Sequence, residues 1–482
     1  MARNASPPPE VHRGLIGVYF DRSSICSIDG AAGDLRYRGY SIHDLAESAS
    51  FEETAYLLLH GDLPSRSELV AFDAALKDAR VLPSPVVDLI GSVAAGHPMD
   101  VLRTAVSALA VFDPEVRDTS PAATRRKAIR AISQVPMIVA AHHRLRSGQA
   151  LVAPDPKLGQ AANFLYMLDA KTPSARVASL IETDLVLHAE HGPNASSFAA
   201  RVVIGTDADL HGALTAAIAA LAGPAHGGAA ENVMKMVREV GSPDRAAEYV
   251  QARRAAREPV MGFGHRVYRT EDPRARHLRE GVRALSTEVG QPYWFETLEA
   301  VVAAMAPYAR HGVHVNVDFY AGVIYHLCGI PEDLFVPLFA IGRSPGWAAH
   351  ALEQLESNIL IRPLTLYAGP GERPYVPIEQ RPDRPSASPA RSWREGGRRC
   401  PGWCCRRAPS RASSRRPAGS LTTASRAWCS LAMKRPSPRR QPTPASAWMI
   451  SASSIRPAAI GSACMSPATW SGGPGARPLP GV

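Results

Sequence analysis

The chain reads as an all-α protein with a short N-terminal β-hairpin and a disordered C-terminal tail. Three observations predict this. Apolar residues recur at helical spacing through most of the first 381 residues. Serine-led start signals precede many of those runs. After Tyr375-Val376-Pro377 every period disappears.

The first ordered segment is the hairpin. Ile25, Ser27 and Ile28 face Leu35 and Tyr37 across Asp29-Gly30-Ala31-Ala32-Gly33, a turn-rich loop between alternating segments. Helices dominate from there on. Ser50-Phe51-Glu52-Glu53 and Ser65-Arg66-Ser67-Glu68 are capping boxes, in which Ser and Glu satisfy free N–H groups reciprocally. Gly61 stops the helix over Ala55–His60. Ser84-Pro85, Ser120-Pro121, Ser242-Pro243 and Ser344-Pro345 each set a capping serine before a proline, which fits the first helical position. Helical spacing then predicts helices over Val101–Phe112, Ile129–Ala141, Ala161–Leu168, Val177–Leu187, Leu210–Leu221, Phe295–Ala306 and Leu334–Ile341. A second strand candidate is His314–Val317. Ten or more helices are expected, with no 20–50-residue repeat.

Residues 382–482 differ in kind. They hold sixteen Arg and one Lys against Asp383 and Glu395, a net of +15. That leaves residues 1–381 with 37 basic and 42 acidic residues, a net of −5, so the overall +10 says nothing about the body. The segment also holds fifteen prolines, five of the seven tryptophans and five of the seven cysteines. Such a composition cannot offset chain entropy by apolar burial. It reads as a GC-rich frame translated out of register, or as a genuine extension. In the second case its arginines and tryptophans would suit phosphate contacts and base stacking, which keeps open a scaffold with a nucleic-acid-binding tail. The body itself calls for no nucleic-acid partner. Its two cysteines, Cys26 and Cys328, do not make a disulfide framework, so a reducing cytoplasm is expected. Met1 to His12 lacks an apolar stretch, and no targeting or membrane-spanning segment is read.

Three short stretches carry chemistry: Gly223-Pro224-Ala225-His226-Gly227-Gly228, Gly262-Phe263-Gly264-His265-Arg266 and Asn316-Val317-Asp318-Phe319-Tyr320. One carboxylate and two imidazoles are what carbon–carbon bond formation at an unactivated methyl group needs. His226 precedes a helix over Glu231–Val240, whose positive end disfavours an imidazolium. A neutral histidine there can donate to a developing enolate oxygen. His265, with Arg266, Arg269 and Arg274 nearby in sequence, suggests an anionic ligand. Asp318 starts a helix among apolar residues, where desolvation raises basicity. Each also has a plain structural explanation: a loop histidine bonded to a carbonyl, a solvated basic helix start, and an N-cap. His188-Ala189-Glu190-His191 offers two imidazoles on one helix face, without the His-Glu-x-x-His spacing or a third ligand of a zinc site.

Taken together, these stretches resemble the citrate synthase family, 2-methylcitrate synthases included. The likeness runs from about Gly14 to about Arg381. It extends through Tyr37-Arg38-Gly39-Tyr40, His97-Pro98-Met99-Asp100-Val101-Leu102-Arg103, Ala162-Asn163-Phe164-Leu165-Tyr166, Leu187 to His191, Asn194-Ala195-Ser196, and Arg362-Pro363 with Tyr367. The resemblance implies a two-domain helical homodimer with its site in the cleft. A large domain would comprise residues 14–227 and 329–381, and a small domain residues 228–328. It further implies that His226 stabilises the acetyl-CoA enolate, Asp318 removes the methyl proton, and His265 polarises the oxaloacetate carbonyl. His191, Arg274 and Arg343 would bind oxaloacetate, Arg362 would reach the partner subunit's site, and Arg269 would touch a CoA phosphate. Coenzyme A enters as a thioester substrate, acetyl-CoA or propionyl-CoA, with no metal or redox cofactor.

Overall fold

The computed structural model of the chain describes residues 10–381. The expected disordered or out-of-frame segment, 382–482, lies outside the described residues. One compact unit ends at Arg373 and a second begins at Pro374. In the described part of the second, Ile378–Gln380 forms a single 3-10 turn.

The hairpin is present, as β1 (Cys26–Asp29) and β2 (Asp34–Tyr37), antiparallel with Cys26 opposite Tyr37. Its turn is built by Asp29, whose Oδ1 accepts from the N–H groups of Ala31 and Ala32 at 2.9 and 3.0 Å. A third strand, β3 (Tyr40–Ser41), pairs antiparallel with β2 and is not read from the sequence.

Ten helices follow: α1 (Ile42–Ser48), α2 (Phe51–His60), α3 (Arg66–Asp78), α4 (Ser84–Ser92), α5 (Pro98–Phe112), α6 (Pro121–Arg146), α7 (Gln160–Asp169), α8 (Ala175–His188), α9 (Ala195–Ile204) and α10 (Leu210–Leu221). Six more complete the described residues: α11 (Ala229–Val240), α12 (Ala246–Ala255), α13 (Ala275–Glu288), α14 (Tyr293–Met305), α15 (Asp318–Leu327) and α16 (Phe335–Glu356). Both capping boxes form, at Ser50/Glu53 and Ser65/Glu68, and Gly61 ends α2 in the left-handed conformation. Ser120 caps α6.

The other serine–proline pairs behave differently. α4 begins at Ser84 itself, after Pro83, and Ser242-Pro243 opens only a 3-10 turn without a side-chain cap. Ser344-Pro345 starts nothing: it lies inside α16. A proline within a helix frees the carbonyl four residues back. Here the freed Ile341 carbonyl accepts from the Ser344 hydroxyl at 2.8 Å. Pro136 interrupts α6 in the same way, and the freed Ile132 carbonyl accepts from the Gln160 amide at 3.0 Å. With the orphaned acceptors satisfied, both helices continue. His314–Val317 is not a strand but one isolated bridge, Phe263 to Val315.

The core centres on α16, which packs against α6, α8, α9, α10 and α2 and is buried along most of its length. A second group forms where α13 and α11 meet α15 and α12 meets α14. It touches the first through α8 with α13 and α11 with α16. Among the described residues no helix is long and apolar enough to cross a membrane.

Candidate active site

Two of the three polar stretches, those of His265 and Asp318, become neighbours through backbone pairing. Gly264 N–H donates to the His314 carbonyl at 2.8 Å, and Asn316 N–H donates to the Gly262 carbonyl at 2.9 Å. The Asn316 side chain adds a bond to the Gly264 carbonyl at 3.1 Å. This clasp sets the His265 loop against the start of α15, which carries Asp318. Gly262 and Gly264 have φ of +78° and +89°. A Cβ on Gly262 would also lie only 2.9 Å from Phe319 Cβ, so this closeness needs glycine.

Asp318 is the first residue of α15 rather than its cap, which is Val317, and its carboxylate accepts no hydrogen bond among the described residues. Burial pushes its carboxyl above the usual range, while His188 and Arg274 pull it down. A capping carboxylate is bonded and stabilised as an anion; this one is neither, and so is the better base.

The two imidazoles are both held neutral. Burial lowers His226 to about 4, helped by Arg343 and Arg266. Burial and Arg274 lower His265 to about 4. Their tautomers are opposite. Nδ1 of His265 accepts from the backbone N–H groups of Val267 and Tyr268 at 3.0 and 3.2 Å, which leaves the proton on Nε2. Nε2 of His226 faces the Ser196 N–H at 3.3 Å and the Ser196 hydroxyl at 2.9 Å. A backbone amide can only donate, so Nε2 is the acceptor and the proton belongs on Nδ1.

His191 lies beside His265, ring centroids 5.1 Å apart, and Arg274 is 3% exposed next to them. Burial and the charge of Arg274 hold His191 far below its ordinary range. Arg274 is aimed by Asp272, which accepts from Nε at 2.9 Å and Nη2 at 2.7 Å. Arg343 is 2% exposed and donates from Nε to the His188 carbonyl at 2.5 Å. Its two terminal nitrogens bond to none of the described residues, an open fork of the kind that binds a carboxylate. Arg269 and Arg362 are not part of this buried set. Both side chains are exposed, and neither makes an ion pair among the described residues.

The supposed helix face of His188 and His191 does not exist. α8 ends at His188, whose Nδ1 lies 2.9 Å from the Asp184 carbonyl, and His191 sits in the following loop. Among the described residues no three His, Cys, Asp or Glu side chains cluster to hold a metal ion. Residues not singled out from the sequence complete the site. Tyr268 sets its hydroxyl 3.0 Å from His191 Nε2. Ser196 holds His226, and Trp347 Nε1 donates to the Ser196 hydroxyl at 3.0 Å. Asp272 was visible only as part of Asp272-Pro273-Arg274, and Ser196 as part of Asn194-Ala195-Ser196.

One unbonded carboxylate, two neutral imidazoles and two buried arginines are groups suited to anionic carbonyl chemistry. The chain matches the family described as "Citrate synthase, C-terminal domain" over residues 14–364. It is 44% identical over 374 residues to citrate synthase 2 of Bacillus subtilis, covering 77% of this chain and 99% of that relative. It is 41% identical over 378 residues to 2-methylcitrate synthase 1 of Corynebacterium glutamicum, covering 77% and 99%. Among solved structures it is similar to citrate synthase from Thermoplasma acidophilum in ternary complex with carboxymethyl coenzyme A and oxaloacetate. That match has a TM-score of 0.73 and 31% identity, and covers 77% of this chain and 100% of that one. The chain belongs to the citrate synthase family and is an acyltransferase of that type.

Proposed function

We propose that the chain condenses acetyl-CoA with oxaloacetate and hydrolyses the resulting citryl-CoA to citrate and CoA. The observation that carries this reading is the pairing of an unbonded, basic Asp318 carboxylate with two neutral histidines of opposite tautomer. Asp318 takes a proton from the thioester methyl group. The His226 Nδ1–H donates to the enolate oxygen as charge develops there. Neither group suffices alone against so weak a carbon acid. The carbon then attacks the oxaloacetate ketone, whose oxygen is polarised by the His265 Nε2–H and takes a proton as the bond forms. Water cleaves the thioester, releasing CoA. In balance, the ketone oxygen takes the His265 Nε2 proton, and the methyl proton removed by Asp318 makes good that loss. Water supplies the hydroxyl of the new carboxyl group and the hydrogen of the CoA thiol, the carboxyl then losing a proton to solvent. No electron donor or acceptor enters, and the reading calls for no metal or redox cofactor.

Oxaloacetate is a dianion, and Arg274, Arg343 and His191 are its ligands in this reading; the open Arg343 fork supports it. Arg269 contacts a CoA phosphate. Arg362, exposed on this chain, reaches the partner's site in a homodimer. Residues 228–328 act as the small domain that closes over 14–227 and 329–381, excluding water until citryl-CoA has formed. The free cysteines Cys26 and Cys328 fit a cytoplasmic setting.

A second reading takes propionyl-CoA as the acyl donor, and the 2-methylcitrate synthase relative supports it. One methylene is worth only about 1–3 kcal/mol in a pocket. Release of free CoA from purified protein, given oxaloacetate and each acyl-CoA, decides between them. A kcat/KM at least tenfold higher for propionyl-CoA would overturn the acetyl-CoA reading.

A further inference from the structure

Glu190 is a buried carboxylate with 0% exposure that the proposed chemistry does not use. It lies in the loop between Ala189 and His191, and it is the foremost anion acting on the buried Arg343. Its main chain is held by Tyr37, whose hydroxyl donates to the Glu190 carbonyl at 2.8 Å. Its side chain is held far more sparsely. Oε1 has one partner, His350 Nε2 at 2.9 Å, and Oε2 is buried without one. His350 is in turn fixed by Arg201, whose Nε lies 2.8 Å from His350 Nδ1. An arginine N–H only donates, so Nδ1 is an acceptor and the proton that faces Glu190 sits on Nε2. Arg201, 1% exposed, also pairs with Glu353 and reaches Gln354 Oε1 at 3.3 Å. The result is a buried relay of guanidinium, imidazole and carboxyl group. It runs from α9 through α16 to the loop after α8.

We propose that Arg201 and His350 are positioning residues for the oxaloacetate end of the site. They hold the Glu190 carboxylate, and through it the loop that presents His191 and follows His188, the last residue of α8, whose carbonyl orients Arg343. Two observations support a role in the site rather than in the core at large. The carboxylate is left with a single hydrogen bond where a buried anion normally has several, so His350 alone sets its position. And there is no room for anything else on that side: a Cβ on Gly346 would overlap both the Ala189 carbonyl and Glu190 Oε2. Neither His226 nor Asp318 bonds to the relay, so its loss acts on the oxaloacetate ligands and spares the groups that handle the acyl donor.

This proposal rests on the oxaloacetate reading above, and the test keeps the two apart. His350→Leu and His350→Gln are made in the full chain. Leucine removes both bonds; a glutamine amide can donate to Glu190 and accept from Arg201. KM is measured for oxaloacetate and for the acyl-CoA, and oxaloacetate binding is measured by calorimetry. His350→Leu is expected to raise the oxaloacetate KM and Kd at least tenfold, about 1.4 kcal/mol, with the acyl-CoA KM within twofold of wild type. His350→Gln is expected to stay within threefold of wild type in all of them. If His350→Leu does not fold, Arg201→Lys carries the test, because a lysine cannot bond His350, Glu353 and Gln354 together; at least a threefold rise in the oxaloacetate KM and Kd is expected. Unchanged oxaloacetate KM and Kd in these variants, or a glutamine variant as weak as the leucine one, overturns the relay. Wild-type protein that releases no CoA but binds oxaloacetate refutes the proposed reaction, and the calorimetric arm then still reads the relay. Wild-type protein that binds no oxaloacetate refutes both.

Discussion

Asp318→Asn separates catalysis from stability. Asparagine has nearly the shape of aspartate and cannot take a proton. Because no described group donates to the Asp318 carboxylate, the swap strips no neighbouring donor of its acceptor. Activity and folding should therefore move independently. A positioned general base contributes about 10²–10⁴-fold, or roughly 2.7–5.4 kcal/mol of transition-state stabilisation, and kcat should fall by that factor. Stability should hold or improve. The folded carboxyl sits above its unfolded value because of burial, so its anion is disfavoured by folding at every pH above that unfolded value. At neutral pH the neutral amide relieves this penalty, and Tm should not drop. The assay is CoA release with saturating oxaloacetate, alongside thermal unfolding of both proteins. Retention of more than about a tenth of wild-type turnover would refute the assignment of Asp318 as base. A large fall in Tm would refute the claim that its carboxylate is unbonded.

Further outcomes follow from the same geometry. The acid limb of kcat/KM should be a one-proton step set by Asp318: the rate falls as pH drops through its raised pKa, because the base must be ionised. His226 and His265, held to about 4, stay neutral near pH 6.5, so a two-proton fall centred near that ordinary histidine value would contradict the neutral-imidazole reading. Ser344→Ala strips the buried Ile341 carbonyl of its donor inside α16 and should cost about 1–3 kcal/mol, read as a lower urea midpoint; an unchanged midpoint would mean that another donor takes over. Gly346→Ala forces a methyl group against the Ala189 carbonyl and Glu190 Oε2 in a packed core, with an expected cost of about 1–3 kcal/mol and a raised oxaloacetate KM. A variant with wild-type stability and KM would show that this helix can shift to make room.

Much of the fold was legible because its signals are local. The two capping boxes, Gly61 and the seven helical runs each depend on residues within a few positions of one another, and each formed where expected. Prolines inside helices were harder to read, because the partner that lets a helix run through one is remote or unexpected. Nothing near Pro136 in sequence announces that Gln160 will supply the missing donor to Ile132. Ser344 was read as a cap because serine is favoured there; its hydroxyl instead bonds back to Ile341 and lets α16 run through its proline. The site shows the same divide. His226, His265 and Asp318 were visible from their glycine and helix-start settings, whereas Glu190 and His350 are 160 residues apart and meet only in the packed core.

The tautomers mark the limit of sequence reading most clearly. His226 and His265 sit in similar glycine-flanked turns, and residue type alone gives no reason to treat them differently. What distinguishes them is the direction of three backbone N–H groups: Val267 and Tyr268 pointing at Nδ1 of one ring, Ser196 at Nε2 of the other. A main-chain amide has no side-chain signature, so this information enters only when the loops close. It also cannot be removed by mutating the donors' side chains, since the N–H survives in any residue but proline. Proline at Val267 would delete one such donor, and with it half of what keeps the His265 proton on Nε2. The tautomeric difference between two identical imidazoles is thus stored in the path of the main chain, and for His265 the bonds of Gly262 and Gly264 to His314 and Asn316 hold that path.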